Sequence, residues 1–521
     1  MSTLESLQLG LDRSWLILCG AMILSMQIGF AWLEAGAIRK KNSHTVYYKL
    51  TLNTIITCVT WWVLGYAFAF GGSEGGRFIG AKHFYAGNRW SDHFHLLSTQ
   101  YAHWTFQTAI AAVVPAITGG VIAERATLLG TAIHTFFMTL LIYPFIISWT
   151  WGLGWMTNEW DYADFTGSGM VHCTGAFAGL AGLIIIGPRY NRYNQHKSVF
   201  DETRKRAPNA IITENSSPTK TTVPLNALET QPLRLTETKT VSAQEEEDST
   251  AFTLENIQRL RKKVLDDAYD SFGPSDLGVT LTGALFLWVG FIFFNAGSAL
   301  VMSYGETSLM AEKAAANTFL GGAGSAIIVL ALKHYLIHGF RTPRNLRDDA
   351  CSVANGFLGG MVANGAGMNT YEPWEALVVG AIGGLVYVLL CWLFEKKKWD
   401  DALEAFQLHG GCGTAGVLCA PFFGHATGVF HDKSGKYIGY HIVCWIIFVA
   451  WSFGWSFIVF WVLNKKGLLR VDLKTEIVGY DFIDFADKLK FDPNRKIELK
   501  RPENVGGNIE IAYTQAPKTE A

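Results

Sequence analysis

The sequence predicts an all-α polytopic membrane protein: eleven transmembrane helices, arranged as two inverted five-helix repeats plus a final long helix. Three observations predict it. Half of the 521 residues are hydrophobic, and the mean hydropathy is +0.19 even with a long polar insert included. Outside that insert, apolar runs of roughly 17–25 residues recur, each long enough to cross a hydrocarbon core about 30 Å thick. Short motifs of the first half also return in the second half. The net charge of −1 says little about partners, because the charges are segregated into loops, and nothing in the chain points to nucleic acid. The eight cysteines sit mostly in apolar runs without a CxxC pair, so they read as small core residues rather than a disulfide framework or a metal site. No basic segment with a short apolar stretch and a cleavage site opens the chain, so the first apolar run reads as a retained span.

The predicted spans are 14–37, 47–70, 101–123, 127–150, 167–187, 276–301, 313–335, 350–366, 374–394, 406–423 and 438–464, the Gly-rich 350–366 being the shortest. Lys and Arg collect in alternate loops: Arg39-Lys40-Lys41, Arg125, Arg189 with Arg192, Lys333 to Arg347, Lys396-Lys397-Lys398, and Lys465, Lys466 and Arg470. The intervening loops, such as Thr157–Ala163 and Gly365–Pro373, are poor in both. The positive-inside rule then places the N-terminus outside and the C-terminus in the cytosol, which requires an odd number of spans.

The chain divides into a first five-helix repeat (1–187), a cytosolic insert (188–275), a second, inverted five-helix repeat (276–424), the last span (425–464) and a soluble tail (465–521). The stretch 191–272 has no Trp, carries QEEEDST and TENSSPTKTT, and reads as disordered in its first part. Near its end, Ile257, Leu260, Val264 and Ala268 fall at helical spacing and predict a short amphipathic helix. Asn215-Ser216-Ser217 is a glycosylation triplet that this topology places in the cytosol, where it goes unused.

The repeat rests on four matches. Lys49…Asn53-Thr54 returns as Lys313…Asn317-Thr318, and GGVIAE (119–124) as GGMVAN (359–364). Leu33-Glu34-Ala35-Gly36 returns more weakly as Phe294-Asn295-Ala296-Gly297, and His172 as His409. Each half has five spans, so the second copy is upside down. Inverted repeats place their functional site near the midplane, where the copies meet. His172 lies in DFTGSGMVHCTGAFAGL (164–180) and His409 in AFQLHGGCGTAGVL (405–418), both small-residue, apolar runs. An ionisable side chain in such a run faces the interior or a water-filled path. A lone core histidine bonded to a carbonyl is the bland reading of either; the repeat makes the two symmetry mates on one axis.

Two imidazoles in contact share one N–H···N bond and still offer a donor and an acceptor to a guest. Burial disfavours their charged form, so both are expected neutral or sharing one proton. No Cys, Asp or Glu lies at ligand spacing beside them, which speaks against zinc. Neither a nucleophile motif nor a phosphate loop accompanies them, so no enzyme chemistry is expected. Trp149 and Trp151 end the fourth span, and Phe293-Phe294 lie in the sixth with Ser298 one turn beyond. An indole face with a hydroxyl suits a monovalent cation that donates hydrogen bonds, though single aromatics at this depth also serve as an interface belt.

These residues resemble the ammonium transporter family, the Amt/Mep branch of the Amt/Mep/Rh superfamily, over most of 12–480 outside the insert. GFAWLEAGAIRKKN resembles the family's first-span signature, and TGGVIAER, WGLGW, ADFTGSGMVH, FNAGSA, DDALEAFQLHGGCGTAG and GLLRVDLKTEIVGYD follow in the family's order. The resemblance implies a homotrimer with one pore per subunit and an outer ammonium site at Trp151 and Ser298. It also implies Asp164 as the acid that shapes that site from behind, and a twin-histidine pore at His172 and His409. Phe294 matches one of two stacked gate phenylalanines. The other is expected fourteen residues before Glu124, where this chain has Ile110; Phe106 lies one turn away. The implied activity is ammonium uptake across the plasma membrane, with ammonia passing the histidines, without cofactor or metal. An ammonium sensor signalling through insert and tail, where cytosolic regulators would also act, is the alternative of a different class. An Rh-like gas channel is a nearer rival that Trp151 and LEAGAIRKKN disfavour.

Overall fold

The computed structural model describes residues 3–71, 78–80, 100–193, 272–339 and 346–481. The chain divides into one unit of Met1–Arg189 with Ser271–Ala521 and a second of Tyr190–Asp270. The amphipathic helix expected near 252–268 and the Asn215 triplet lie outside the described residues, as does the tail beyond 481.

The first unit is all-helical among the described residues, apart from one isolated bridge between Ala126 and Arg470. Its long helices are α1 (Thr3–Ala37), α2 (Lys40–Phe70), α3 (Gln100–Val121), α4 (Leu128–Trp149), α5 (Ser168–Ile186) and α6 (Leu277–Gly297). The remainder are α7 (Gly305–His338), α8 (Leu346–Asn364), α9 (Pro373–Lys397), α10 (406–423) and α11 (Lys436–Lys465). A helix therefore stands at each of the eleven predicted places. Among the described residues, nine are long and apolar enough to cross a membrane, and α8 and α10 are not. The other two are less apolar because α8 opens on Leu-Arg-Asp-Asp and α10 spends its first turns on Gln407, His409 and glycines.

α1 packs along α6, α3 packs on α1 and α5, and α7, α8 and α9 form a second cluster. Without a hydrophobic drive between helices in lipid, close approach of backbones has to supply the contact. Glycine permits it here. A Cβ on Gly36 would lie 2.5 Å from the Thr280 nitrogen, and one on Gly283 would lie 2.2 Å from the Leu33 nitrogen. Both clashes are with backbone, so an alanine at either position would force α1 and α6 apart.

α5 and α10 share a second irregularity. Each carries a six-residue π-helical segment, Ser168–Cys173 and Phe406–Gly411, and each segment contains the predicted histidine. The His172 amide donates to the Gly167 carbonyl at 3.1 Å, an i→i+5 bond. Such bulges inside α-helices are frequent at functional sites. The eight cysteines are free thiols, most of them buried.

Candidate functional site

Each histidine helix is started by an aspartate eight residues upstream. Asp164 Oδ1 accepts the amides of Gly167 and Ser168 at 3.1 and 2.8 Å, and Oδ2 those of Gly169 and Met170 at 2.8 and 3.2 Å. The Tyr162 hydroxyl also donates to Oδ2 at 3.3 Å. Burial pushes the Asp164 carboxyl up from its ordinary pKa, and these donors oppose the rise. In the second half, Asp401 Oδ2 accepts the Phe406 amide at 2.7 Å, and Oδ1 accepts the Leu403 amide at 3.3 Å. Burial raises the Asp401 carboxyl to about 7, against the amides of Phe406, Ala405 and Leu403. A negative group at a helix N-terminus satisfies its free amides and meets the positive end of its dipole. Asp401 was not singled out from the sequence, although its spacing to His409 equals that of Asp164 to His172.

The two π segments bring the imidazoles together. His409 Nδ1 and His172 Nδ1 are 3.1 Å apart, with ring planes 11° from parallel and centroids 5.1 Å apart. Between two neutral imidazoles at this distance, one Nδ1 donates and the other accepts. That leaves one Nε2 as an acceptor and the other as an Nε2–H donor. Both rings are buried, at 1% and 5% exposure. Aromatics wall them in: the centroids of Phe291 and Phe294 lie 5.9 Å from that of His172, and that of Phe30 lies 6.5 Å from that of His409. Phe291 and Phe30 were missed in the sequence, where each reads as one more apolar residue of a span.

Trp151, Asp164 and Ser298 line one cavity of about 310 Å³, together with Thr370 and Thr427. The Trp151 indole N–H donates to the Asp164 carbonyl at 2.9 Å, which fixes the ring. The Ser298 hydroxyl donates to the Phe294 carbonyl at 2.9 Å, leaving its oxygen lone pairs to accept from a guest. The structure thus brings Trp151, Ser298 and Asp164 to the wall of one cavity. Phe106 is fully buried, and a Cβ on Gly297 would lie 2.8 Å from its ring edge. Phe106 is not among the rings that face Phe294. Ile110 is also fully enclosed. Trp149, read as a belt aromatic, is buried, its indole donating to the Phe78 carbonyl at 2.8 Å.

At the opposite end, Glu124 is held between Arg39 and Arg189 and accepts from Asn42 at 2.9 Å. Arg189 also forks onto Asp400, with both oxygens at 2.8 Å. Burial alone would raise the Glu124 carboxyl, but Arg189 and Arg39 outweigh it and hold it at about 2. The chain after α11 straps across this end. The Thr127 amide donates to the Leu469 carbonyl at 2.9 Å, Val471 to Arg125 at 3.0 Å, and Lys41 Nζ to Ile477 at 2.7 Å.

A helical bundle whose described residues include nine helices long and apolar enough to cross a membrane, with two histidine-bearing helices meeting in its interior, is a polytopic membrane protein. The chain belongs to the Ammonium Transporter Family, which it matches over residues 14–206 and 251–489. It is 26% identical over 503 residues to ammonium transporter Amt2 of Archaeoglobus fulgidus, covering 92% of this chain and 88% of that one. It is 27% identical over 503 residues to ammonium transporter 1 member 3 of Solanum lycopersicum, covering 90% and 91%. Among solved structures it is similar to a sensor Amt protein, with a TM-score of 0.70 at 24% identity, covering 92% of this chain and 99% of that one. It is also similar to Candida albicans Mep2, with a TM-score of 0.64 at 18% identity, covering 89% and 86%. At these identities the structural likenesses show the fold.

Proposed function

We propose that this chain moves ammonium inward by binding it at Trp151 and Ser298, releasing one proton to water in the cavity they line, and passing ammonia along the His172–His409 pair, whose linked imidazoles would also permit a relay of that proton inward. The observation that carries the reading is the Nδ1–Nδ1 contact of 3.1 Å between two buried imidazoles, together with a cavity lined by an indole and a hydroxyl. An indole face attracts a cation, and a hydroxyl oxygen accepts an N–H that potassium does not have. Carrying an isolated charge across an apolar pore would cost tens of kcal/mol by Born solvation. Ammonium escapes that cost by losing a proton; potassium cannot. The pair offers ammonia one donor and one acceptor, as it requires. The reading includes a homotrimer in the plasma membrane, N-terminus outside and C-terminus cytosolic, with Phe294 closing the outer mouth.

The test is current recording and flux in proteoliposomes with ammonium, methylammonium and potassium. Wild type is expected to pass ammonium and reject potassium. His172→Ala and His409→Ala are expected to lose selective flux with their assembly intact, any residual current admitting potassium. Wild-type selectivity in both variants overturns the mechanism. Ammonium binding without any flux in the wild type assigns the chain to the sensors instead.

A further inference from the structure

The start of α9 holds a cluster that the transport reading does not use. Glu372 and Glu375 form a capping box there, Glu375 Oε2 accepting the Glu372 amide at 2.7 Å. That role occupies one oxygen of Glu375, which is fully buried. The other, Oε1, meets His431 Nε2 at 2.8 Å. His425 Nε2 stands 3.5 Å from Glu375 Oε2 and 4.0 Å from Glu372 Oε1, is shielded from solvent and makes no hydrogen bond. The two imidazoles, from opposite ends of one loop, have centroids 3.8 Å apart. Two rings held this close, both turned onto one buried carboxylate, exceed what a helix cap needs.

One ligand atom from each of Glu375, His425 and His431 lies within 4.8 Å of the other two. Ligands at 2.0–2.2 Å in a tetrahedral zinc site sit about 3.3 Å apart; His431 Nε2 lies 2.8 Å from Glu375 Oε1 and the three ligand atoms all fall within 4.8 Å of one another, so side-chain rotations alone bring them to that spacing. Two imidazoles with one carboxylate suit zinc and its first-row neighbours, whereas magnesium and calcium select oxygen donors. Lys313 lies 2.8 Å from Glu372 Oε1 and occupies that carboxylate, which leaves Glu375 as the charged ligand. A water completes such a three-ligand site.

We infer that Glu375, His425 and His431 form a binding site for a zinc-class divalent ion, at the rim of the cavity that Trp151 lines. The position couples it to that cavity: the His425 amide donates to Thr370 Oγ1 at 3.3 Å, and Thr370 and Thr427 are part of the cavity wall. A bound ion pins the 424–431 loop and slows entry of the solute, a consequence that rests on the proposed transport function, whereas the ion binding does not.

The experiment is equilibrium dialysis of the metal-stripped full-length protein in detergent against zinc alone, with X-ray absorption at the zinc edge. The expected result is one zinc per chain, retained in excess magnesium, with two imidazoles in its shell. His425→Ala and His431→Ala are expected to weaken it by more than about tenfold and the double variant to lose it, with ammonium flux in zinc-free buffer unchanged. No zinc retained by the wild type, equal retention by a folded double variant, or a wild-type shell without imidazole each overturns the site. Zinc bound as expected, without any change in flux on its addition, overturns only the coupling.

Discussion

Asp164→Asn is the substitution that tests the outer half of the site most directly. Its carboxylate takes two amides on each oxygen, all at 2.8–3.2 Å. Asparagine retains one acceptor oxygen and turns an NH₂ towards the other two amides, so two of the four bonds become donor against donor. A hydrogen bond to a charged group contributes about 1.5–3 kcal/mol. Losing the anion at the start of α5 adds about 0.3–1 kcal/mol. The penalty is therefore about 3–7 kcal/mol, and even its lower end is a factor of over 100 in an equilibrium or a rate. It falls on the segment that fixes Trp151 through its bond to the Asp164 carbonyl and that leads into the π turn of His172.

The assay is ammonium flux in proteoliposomes at equal reconstituted protein. Asp164→Asn is expected to lower flux by at least about 100-fold. Tyr162→Phe serves as the internal comparison, since it removes a single bond of 3.3 Å from a neutral donor. As the longest of the five bonds to this carboxylate it belongs at the low end of the range for a charged acceptor, about 1.5 kcal/mol or roughly tenfold. Asp164→Asn flux within about threefold of wild type, with the protein correctly assembled, would refute the argument that this carboxylate organises the site.

The other predictions concern charge and packing. Glu124 is held at about 2 against an ordinary 4.5, so it stabilises the fold above about pH 4.5, and that stability is lost as pH falls through about 2. The difference corresponds to about 3 kcal/mol, and Glu124→Gln is expected to lower the thermal midpoint at pH 7 by several degrees; an unchanged midpoint counts against the network. Asp401 runs the other way: with a folded pKa of about 7 against an ordinary 3.8, it is strained as an anion above about pH 7, and the strain fades as pH falls from 7 towards 3.8. Flux against pH is expected to show a step near 7 that Asp401→Asn removes, and a step surviving in that variant assigns it elsewhere. Ile110→Phe enters a fully enclosed site, so it is expected to overpack and destabilise by about 1–3 kcal/mol. Phe294→Ala opens the wall beside His172 instead and is expected to raise potassium leak; equal thermal midpoints for Ile110→Phe and wild type refute the packing argument.

The apolar runs made the helices legible because burial in lipid is a property of composition over some twenty residues. The His172–His409 meeting was legible because the repeat carried it: symmetry converts a sequence offset of 237 residues into a contact. Asp401 carried the same signal in fainter form. DFTGSGMVH and DDALEAFQLH share the aspartate-to-histidine spacing and almost nothing between, so the spacing alone had to identify the cap. The cluster of Glu375 with His425 and His431 had no such help, since its members belong to one half and meet only through the loop after α10.

The charged loops show where counting residues and reading physics diverge. Arg39, Lys41, Arg125 and Arg189 lie in the Lys- and Arg-rich loops, yet all four are buried. Arg39 and Arg189 close on Glu124 and Asp400, Arg125 donates to backbone carbonyls, and Lys41 reaches the Ile477 carbonyl under the strap that follows α11. A planar guanidinium tolerates such burial because it satisfies several acceptors in fixed directions, whereas a strongly hydrated ammonium favours water. Lys40, Lys396, Lys397, Lys398, Lys465 and Lys466 stay exposed at the same end, whereas Lys41 and Lys333 are buried because each ammonium is held, by the Ile477 carbonyl and by Glu404 respectively. The two sets act differently. Arginines paired with buried carboxylates contribute little net field, and their work is to hold helix ends and strap together. The exposed lysines are the charges a membrane potential and anionic lipids can act on. Exchanging those lysines for glutamine is accordingly expected to weaken the electrostatic pull of this end towards an anionic leaflet while leaving the buried arginine network intact, read as a fall in binding to anionic over neutral vesicles at an unchanged thermal midpoint.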